Sequence, residues 1–313
     1  MKLVFMGTAE WACASLKKLA ENKNFSIAAV VTPPDKPRGR QLKSQPSPVK
    51  QLAQTLNLPV WQPARARDSK FIADLRALEP ELIVVAAYGQ ILPPAILELP
   101  PLGCLNVHAS LLPKYRGAAP IQWAIAQGET ETGVTIMKMD AGLDTGPILT
   151  RRRTPILPED NAQTLHDRLA QLGADLLVET IPGYVAGQIQ AQPQPAEGAT
   201  LAPKIKKDDG RIDWRRPARE IWNRLRAFTP WPGSFTFFES TAGTQLLKIW
   251  QADVVERSGN AGEILSADST GMVVACGRDA LRIRELQCAG GKRMTTGQFL
   301  AGHPLKPGQK LGE

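Results

Sequence analysis

Asn106 and His108 stand two residues apart in Cys104-Leu105-Asn106-Val107-His108, a run that reads as a β-strand. Side chains two apart on a strand share a face, so a carboxamide and an imidazole are aimed at one spot. The proline-bounded run 109–120 follows at once, and a loop at a strand end is a common place for a ligand. After an apolar strand at 133–136 comes a glycine-rich turn with two carboxylates, Asp140-Ala141-Gly142-Leu143-Asp144-Thr145-Gly146. An aspartate beside a histidine can fix its tautomer. Either aspartate suits a plain turn former, and a lone histidine taken by itself is more often a hydrogen-bonded structural residue. No GxSxG elbow accompanies these groups. Acid–base and oxyanion chemistry without a covalent enzyme intermediate fits them best.

The elements that must position these residues alternate. Runs at 2–6, 26–31, 81–87 and 104–108 read as strands, the third apolar enough to be buried on both faces. Thr8 is read as a helix cap, with Leu16 and Leu19 on one face of the helix behind it. Ser47-Pro48 gives a cap followed by proline at the first helical position, and Asp68 caps a helix carrying Phe71, Ile72, Leu75 and Leu78. A long amphipathic helix is expected over 163–185. This βαβ alternation predicts an α/β fold, a doubly wound, mostly parallel sheet. Such a sheet binds ligands beyond the carboxyl ends of its strands. The first strand ends in Gly7-Thr8-Ala9-Glu10, without GxGxxG, and no GxxxxGK[ST] exists, which disfavours NAD and ATP.

Residues 188–203 are rich in Gln, Pro and Ala and read as a linker. Beyond 204, a helix at 217–227 is followed by short strand-like runs at 233–239, 245–252, 271–275 and 280–286, which predict a small C-terminal β-barrel, OB-like in kind. The expected organisation is therefore a catalytic domain over 1–187, a linker over 188–203 and a barrel domain over 204–313.

Asn106-x-His108 with Ser110-Leu111-Leu112-Pro113, followed by the 140–146 turn, resembles the signature of formyltransferases that use 10-formyltetrahydrofolate. The resemblance implies Asn106, His108 and Asp144 as a catalytic trio. It implies 10-formyltetrahydrofolate as co-substrate near Ser110, Leu111, Leu112 and Pro113, with no metal. It extends to the branch of these enzymes acting on initiator methionyl-tRNA, through the basic stretch 33–50, the run 108–125, and Ile212-Asp213-Trp214 with the motif at 226–234. In that branch the basic stretch is a loop used on the tRNA acceptor end and the C-terminal domain binds tRNA. Arg38, Arg40, Lys43, Lys206, Lys207 and Arg215 are accordingly the expected RNA-binding residues. The same trio serves formyltransferases acting on small amines such as glycinamide ribonucleotide or amino sugars. A noncatalytic RNA-binding relative is the alternative of another class.

Charge favours the RNA reading. Residues 204–313 hold 18 Lys and Arg against 12 Asp and Glu, net +6, whereas residues 1–203 carry net +2. Lys36, Arg38, Arg40, Lys43 and Lys50 against Asp35 give residues 32–50 a net +4, in a stretch expected to be unstructured until it follows a phosphate backbone. Of Trp214, Trp222, Phe228 and Trp231, most are expected in the domain core and one on a base. Four dispersed cysteines and three histidines, with no CxxC, disfavour a zinc site or disulfide framework. The longest apolar run, 82–88, is far short of the ~20 residues that span a bilayer. The N-terminal run lacks the apolar centre of a signal peptide. A cytoplasmic monomer is the expectation.

Overall fold

The computed structural model describes residues 1–38, 43–240 and 243–312. The chain divides into two units, one of residues 1–120, 131–155 and 166–202, the other of 121–130, 156–165 and 203 onward.

In the first unit, β1 (Lys2–Gly7), α1 (Trp11–Glu21) and β2 (Ser26–Val31) are followed by a ribbon of β3 (Lys36–Arg38) and β4 (Lys43–Gln45). Next come α2 (Pro48–Thr55), β5 (Val60–Trp61), α3 (Ser69–Ala77), β6 (Leu82–Ala86), α4 (Pro94–Leu97) and β7 (Cys104–His108). Strands β8 (Glu131–Lys138) and β9 (Ile148–Pro155) complete the sheet; α5 (Pro120–Ala126), which precedes them, falls in the second unit from residue 121, as do the first residues of the long α6 (Ala162–Val185) that follows. The strand order is β5-β2-β1-β6-β7-β8-β9. From β5 to β7 neighbours run parallel, while β8 and β9 are antiparallel. The mostly parallel sheet is as expected; β8 contains the strand expected over 133–136, and its antiparallel direction and the strand β9 are additional. The parallel strands are buried on both faces: Val4, Met6, Ile83 and Val85 join one cluster, and Leu3, Phe5 and Val84 are equally sealed. Among the described residues no helix is long and apolar enough to cross a membrane.

Helix starts follow local chemistry in two cases of three. Ser47 accepts from Lys50 N–H at 3.0 Å with Pro48 at the first position, and Asp68 accepts from Lys70 N–H at 3.0 Å. Thr8 is not a cap. The residue before α1 is Glu10, and Thr8 Oγ1 donates instead to Tyr88 O at 2.7 Å. A distant carbonyl thus wins the hydroxyl, tying the turn after β1 to the segment after β6.

The segment 188–203 is laced to the first unit. Ile148 and Gln192 exchange both backbone hydrogen bonds at 2.8 Å, and Arg116 pairs with Thr200 and Ala202. In the second unit, α7 (Ala218–Ala227) lies beside an antiparallel sheet of β10 (Ser234–Ser240), β11 (Gly243–Val255), β12 (Ile264–Asp268), β13 (Gly271–Ala275) and β14 (Ala280–Cys288). The order is β10-β11-β14-β13-β12, with β15 (Met294–Thr295) on β14 and α8 (Thr296–Gly302) following. Register shifts in β11 and β12 curl the sheet. β10 and β12 do not pair, so the expected barrel is a half-barrel. Ile221, Leu225, Leu247, Ile249, Val274 and Ile283 fill its core.

Candidate active site

Asn106 and His108 lie at the carboxyl end of β7, paired with Met137 and Thr135 of β8, while Val85 of β6 pairs with Asn106. His108 is 5% exposed. Its Nε2 meets Tyr115 O at 2.9 Å, which leaves Nδ1 facing Asp144 Oδ2 at 3.6 Å. Both ring nitrogens face acceptor oxygens. Asn106 Nδ2 donates to Asp144 Oδ1 at 3.3 Å, and Gly117 N–H donates to Asp144 Oδ2 at 2.8 Å. Asn106 and His108 from the end of β7 and Asp144 from the 140–146 turn therefore converge on one point. The second amide hydrogen of Asn106 has no protein partner among the described residues.

The two aspartates separate cleanly. Asp140 is exposed and accepts from Gly142 N–H and Thr145 Oγ1 within its own turn. Asp144, at φ 51°, is the one turned to the histidine. The turn needs its glycine at 146, where a Cβ would lie 1.9 Å from Lys138 O. The opposite loop is equally fixed. Thr135 Oγ1 donates to Ser110 O at 2.7 Å and accepts from Leu112 N–H at 3.1 Å, Ser110 Oγ donates to Lys114 O, and Arg151 Nη1 donates to Leu112 O. Gly117, at φ 116°, lies so close to Ala202 O that a Cβ would stand 2.9 Å from it.

Among the residues expected to contact a co-substrate, Ser110 and Leu112 are fully buried, so their side chains build the loop. Leu111 and Pro113 are part-exposed. Sequence reasoning missed the segment after β6. There Ala87 adopts φ 43° and Ile91 is 90% exposed, an apolar side chain on display at the carboxyl end of a parallel strand. A non-glycine residue at positive φ was the kind of strain that pattern reading cannot see.

The expected RNA-binding residues differ in setting. Lys206 and Lys207 are exposed and in no ion pair among the described residues, although Lys206 N–H donates to Asp209 Oδ2 at 2.6 Å. Arg215 is exposed, but its Nε pairs with Asp213 Oδ1 at 2.8 Å, which holds that carboxyl below its usual range. Arg38 and Lys43 face one another in the β3–β4 ladder, so the stretch read as unstructured carries backbone pairing. Its sequence lacks apolar alternation, but nearby antiparallel segments pair at small loop-closure cost. Arg40 lies outside the described residues. Lys50 is spent on Asp35 at 2.7 Å, with Gln62 on the other oxygen, which keeps the Asp35 carboxyl low. Trp214 and Phe228 are buried, whereas Trp231 is 57% exposed.

The family model "Formyl transferase" matches residues 1–181, and "Formyl transferase, C-terminal domain" matches residues 204–304. The chain belongs to the formyl transferase family. Curated relatives that carry the name methionyl-tRNA formyltransferase include two from bacteria. That of Geobacter sulfurreducens is 48% identical over 313 residues, covering 100% of this chain and 97% of the relative. That of Pelobacter propionicus is 51% identical over 310 residues, covering 99% and 96%. The fold is that of the N-formyltransferase from Helicobacter canadensis, solved with folinic acid and dTDP-3-aminofucose. The TM-score is 0.64 at 18% identity, over 90% of this chain and 99% of that one.

Proposed function

We propose that this chain transfers the formyl group of 10-formyltetrahydrofolate to the α-amine of methionine on initiator methionyl-tRNA, as a cytoplasmic monomer. Full-length relatives of that name support the substrate. The observation that carries the chemistry is the meeting of Asn106, His108 and Asp144 at a strand end, with one Asn106 N–H unspent.

The folate supplies the transferable carbon when bound. The exposed Ile91, with part-exposed Leu111 and Pro113, suits a flat heteroaromatic ring, and these residues would hold it. Asn106 presents its free N–H to the oxygen that becomes anionic during acyl transfer. Removing one such donor typically costs ~3–4 kcal/mol of transition-state stabilisation. His108, anchored through Nε2 to Tyr115 O, turns Nδ1 to the same point as a second donor. Asp144 stays 3.6 Å from that nitrogen, balances its charge and takes the proton lost by the amine as it bonds to the formyl carbon, directly or through water, and that proton passes to folate N10 as its bond to the formyl carbon breaks. Lys206, Lys207 and Arg215 of the tRNA-binding C-terminal domain grip the phosphate backbone, and Arg38, Arg40 and Lys43 place the acceptor end.

The test is transfer of label from formyl-labelled 10-formyltetrahydrofolate, with charged initiator tRNA, glycinamide ribonucleotide and an amino sugar nucleotide offered in parallel. Label entering the aminoacyl-tRNA alone is expected. Label entering a small amine instead, or no acceptor at all, would overturn the proposal.

A further inference from the structure

Gln194 lies in the stretch whose composition reads as a linker, yet every bond of its carboxamide goes to the two loops that build the site. Nε2 donates to Asp144 O at 2.7 Å and to Gly146 O at 2.8 Å. Oε1 accepts from Arg116 Nε at 3.1 Å and Nη2 at 2.7 Å. A carboxamide has two donor hydrogens and two acceptor lone pairs, so its capacity is fully used. The amide's orientation follows from its partners, since carbonyls only accept and guanidinium only donates. One side of the bracket holds the turn that presents the Asp144 carboxylate. The other holds Arg116, between Tyr115, whose carbonyl meets His108 Nε2, and Gly117, whose N–H meets Asp144 Oδ2.

The sequence prepares this role. Gln194 sits between Pro193 and Pro195. A residue before proline is pushed to extended backbone, and proline offers no N–H to compete for nearby carbonyls. The chain around it is pinned as well: Gln192 pairs with Ile148, and Thr200 accepts from Tyr115 N–H and Arg116 N–H through Oγ1 and O, at 2.8 and 2.9 Å.

We infer that Gln194 is a positioning residue for the reaction, bracketing the Asp144 turn against the 115–117 loop so that Asn106, His108 and Asp144 meet. This rests on the catalytic reading of Asp144. A misplacement of about 1 Å in a reacting group can cost on the order of a hundredfold in rate. A bracket shared by two loops is where such a shift would begin.

Gln194→Glu separates its two halves, keeping the acceptors for Arg116 and losing both donors to the turn. Gln194→Ala loses both halves. Each is expected to lower kcat by roughly ten- to a hundredfold, with KM for folate and tRNA within about twofold and Tm little changed. Placing Gln194→Ala in an Asp144→Ala background should lower the residual single-turnover rate by less than about twofold more, because the residue acts through Asp144. Retention of near-normal kcat by Gln194→Glu would overturn the inference. So would the same fold-loss in both backgrounds, the mark of a general structural role. Normal turnover by Asp144→Ala alone would instead sink the catalytic reading beneath it.

Discussion

Asp144 and Lys207 are both charged residues on connecting segments, and their surroundings could hardly differ more. The Asp144 carboxylate accepts from Gly117 N–H and Asn106 and faces His108, while its own carbonyl is held by Gln194. Lys206 and Lys207 stand in solvent without an ion pair among the described residues. In the first region the carboxylate is fixed by partners far away in sequence. In the second, cations are left free to meet an outside anion. The first arrangement suits a transition state, where geometry multiplies rate. The second suits phosphate contacts, where charge supplies affinity and little orientation.

The contrast breaks first, if it breaks, at the buried end. His108→Ala and Asp144→Ala are each expected to lower kcat by about 10³-fold or more, since both remove acid–base function from the cluster. Steady-state turnover near the wild-type value by either variant would remove the assignment. Asn106→Ala should cost on the order of 10²–10³-fold, mainly in kcat, because its donor counts most in the transition state. A defect confined to KM would make Asn106 a ground-state binding group. At the small end stand the thiols. Burial pushes Cys104 and Cys276 up to about 12 and Cys13 up to about 11, and raises Cys288 as well. The thiolate is the reactive form, so iodoacetamide at pH 8 should leave activity almost untouched. Rapid inactivation would place a thiol in the chemistry after all.

How much of this was legible in the sequence depends on the range over which each residue works. Ser47 and Asp68 announce their helices because a cap bonds within three residues. Thr8 has the same credentials but spends its hydroxyl on Tyr88, eighty residues away. The strand period places Asn106 and His108 together. It cannot choose between Asp140 and Asp144, whose difference lies in how one turn closes. The apolar run 133–136 showed β8 as a strand, but that β8 and β9 run antiparallel is invisible in a pattern that records burial and not direction. Gln194 was beyond reach for a different reason: polar residues between prolines carry the composition of a linker whether or not their side chains are bonded. The β3–β4 ladder escaped because it has no apolar face to betray it.

The central claim is that one region does the chemistry and the other holds the RNA. The most direct measurement sets His108→Ala beside a variant with Lys206, Lys207 and Arg215 all neutralised. Each is read for methionyl-tRNA affinity across a salt series and for single-turnover formyl transfer at saturating tRNA. Each backbone contact on duplex-like RNA contributes about 0.9 to the salt slope. With three such contacts removed, the triple variant should lose a slope of roughly 2.7, bind more weakly and transfer at nearly the wild-type rate. His108→Ala should bind with unchanged affinity and slope and transfer almost nothing. Loss of transfer at saturation by the triple variant, or loss of tRNA affinity by His108→Ala, would contradict the division.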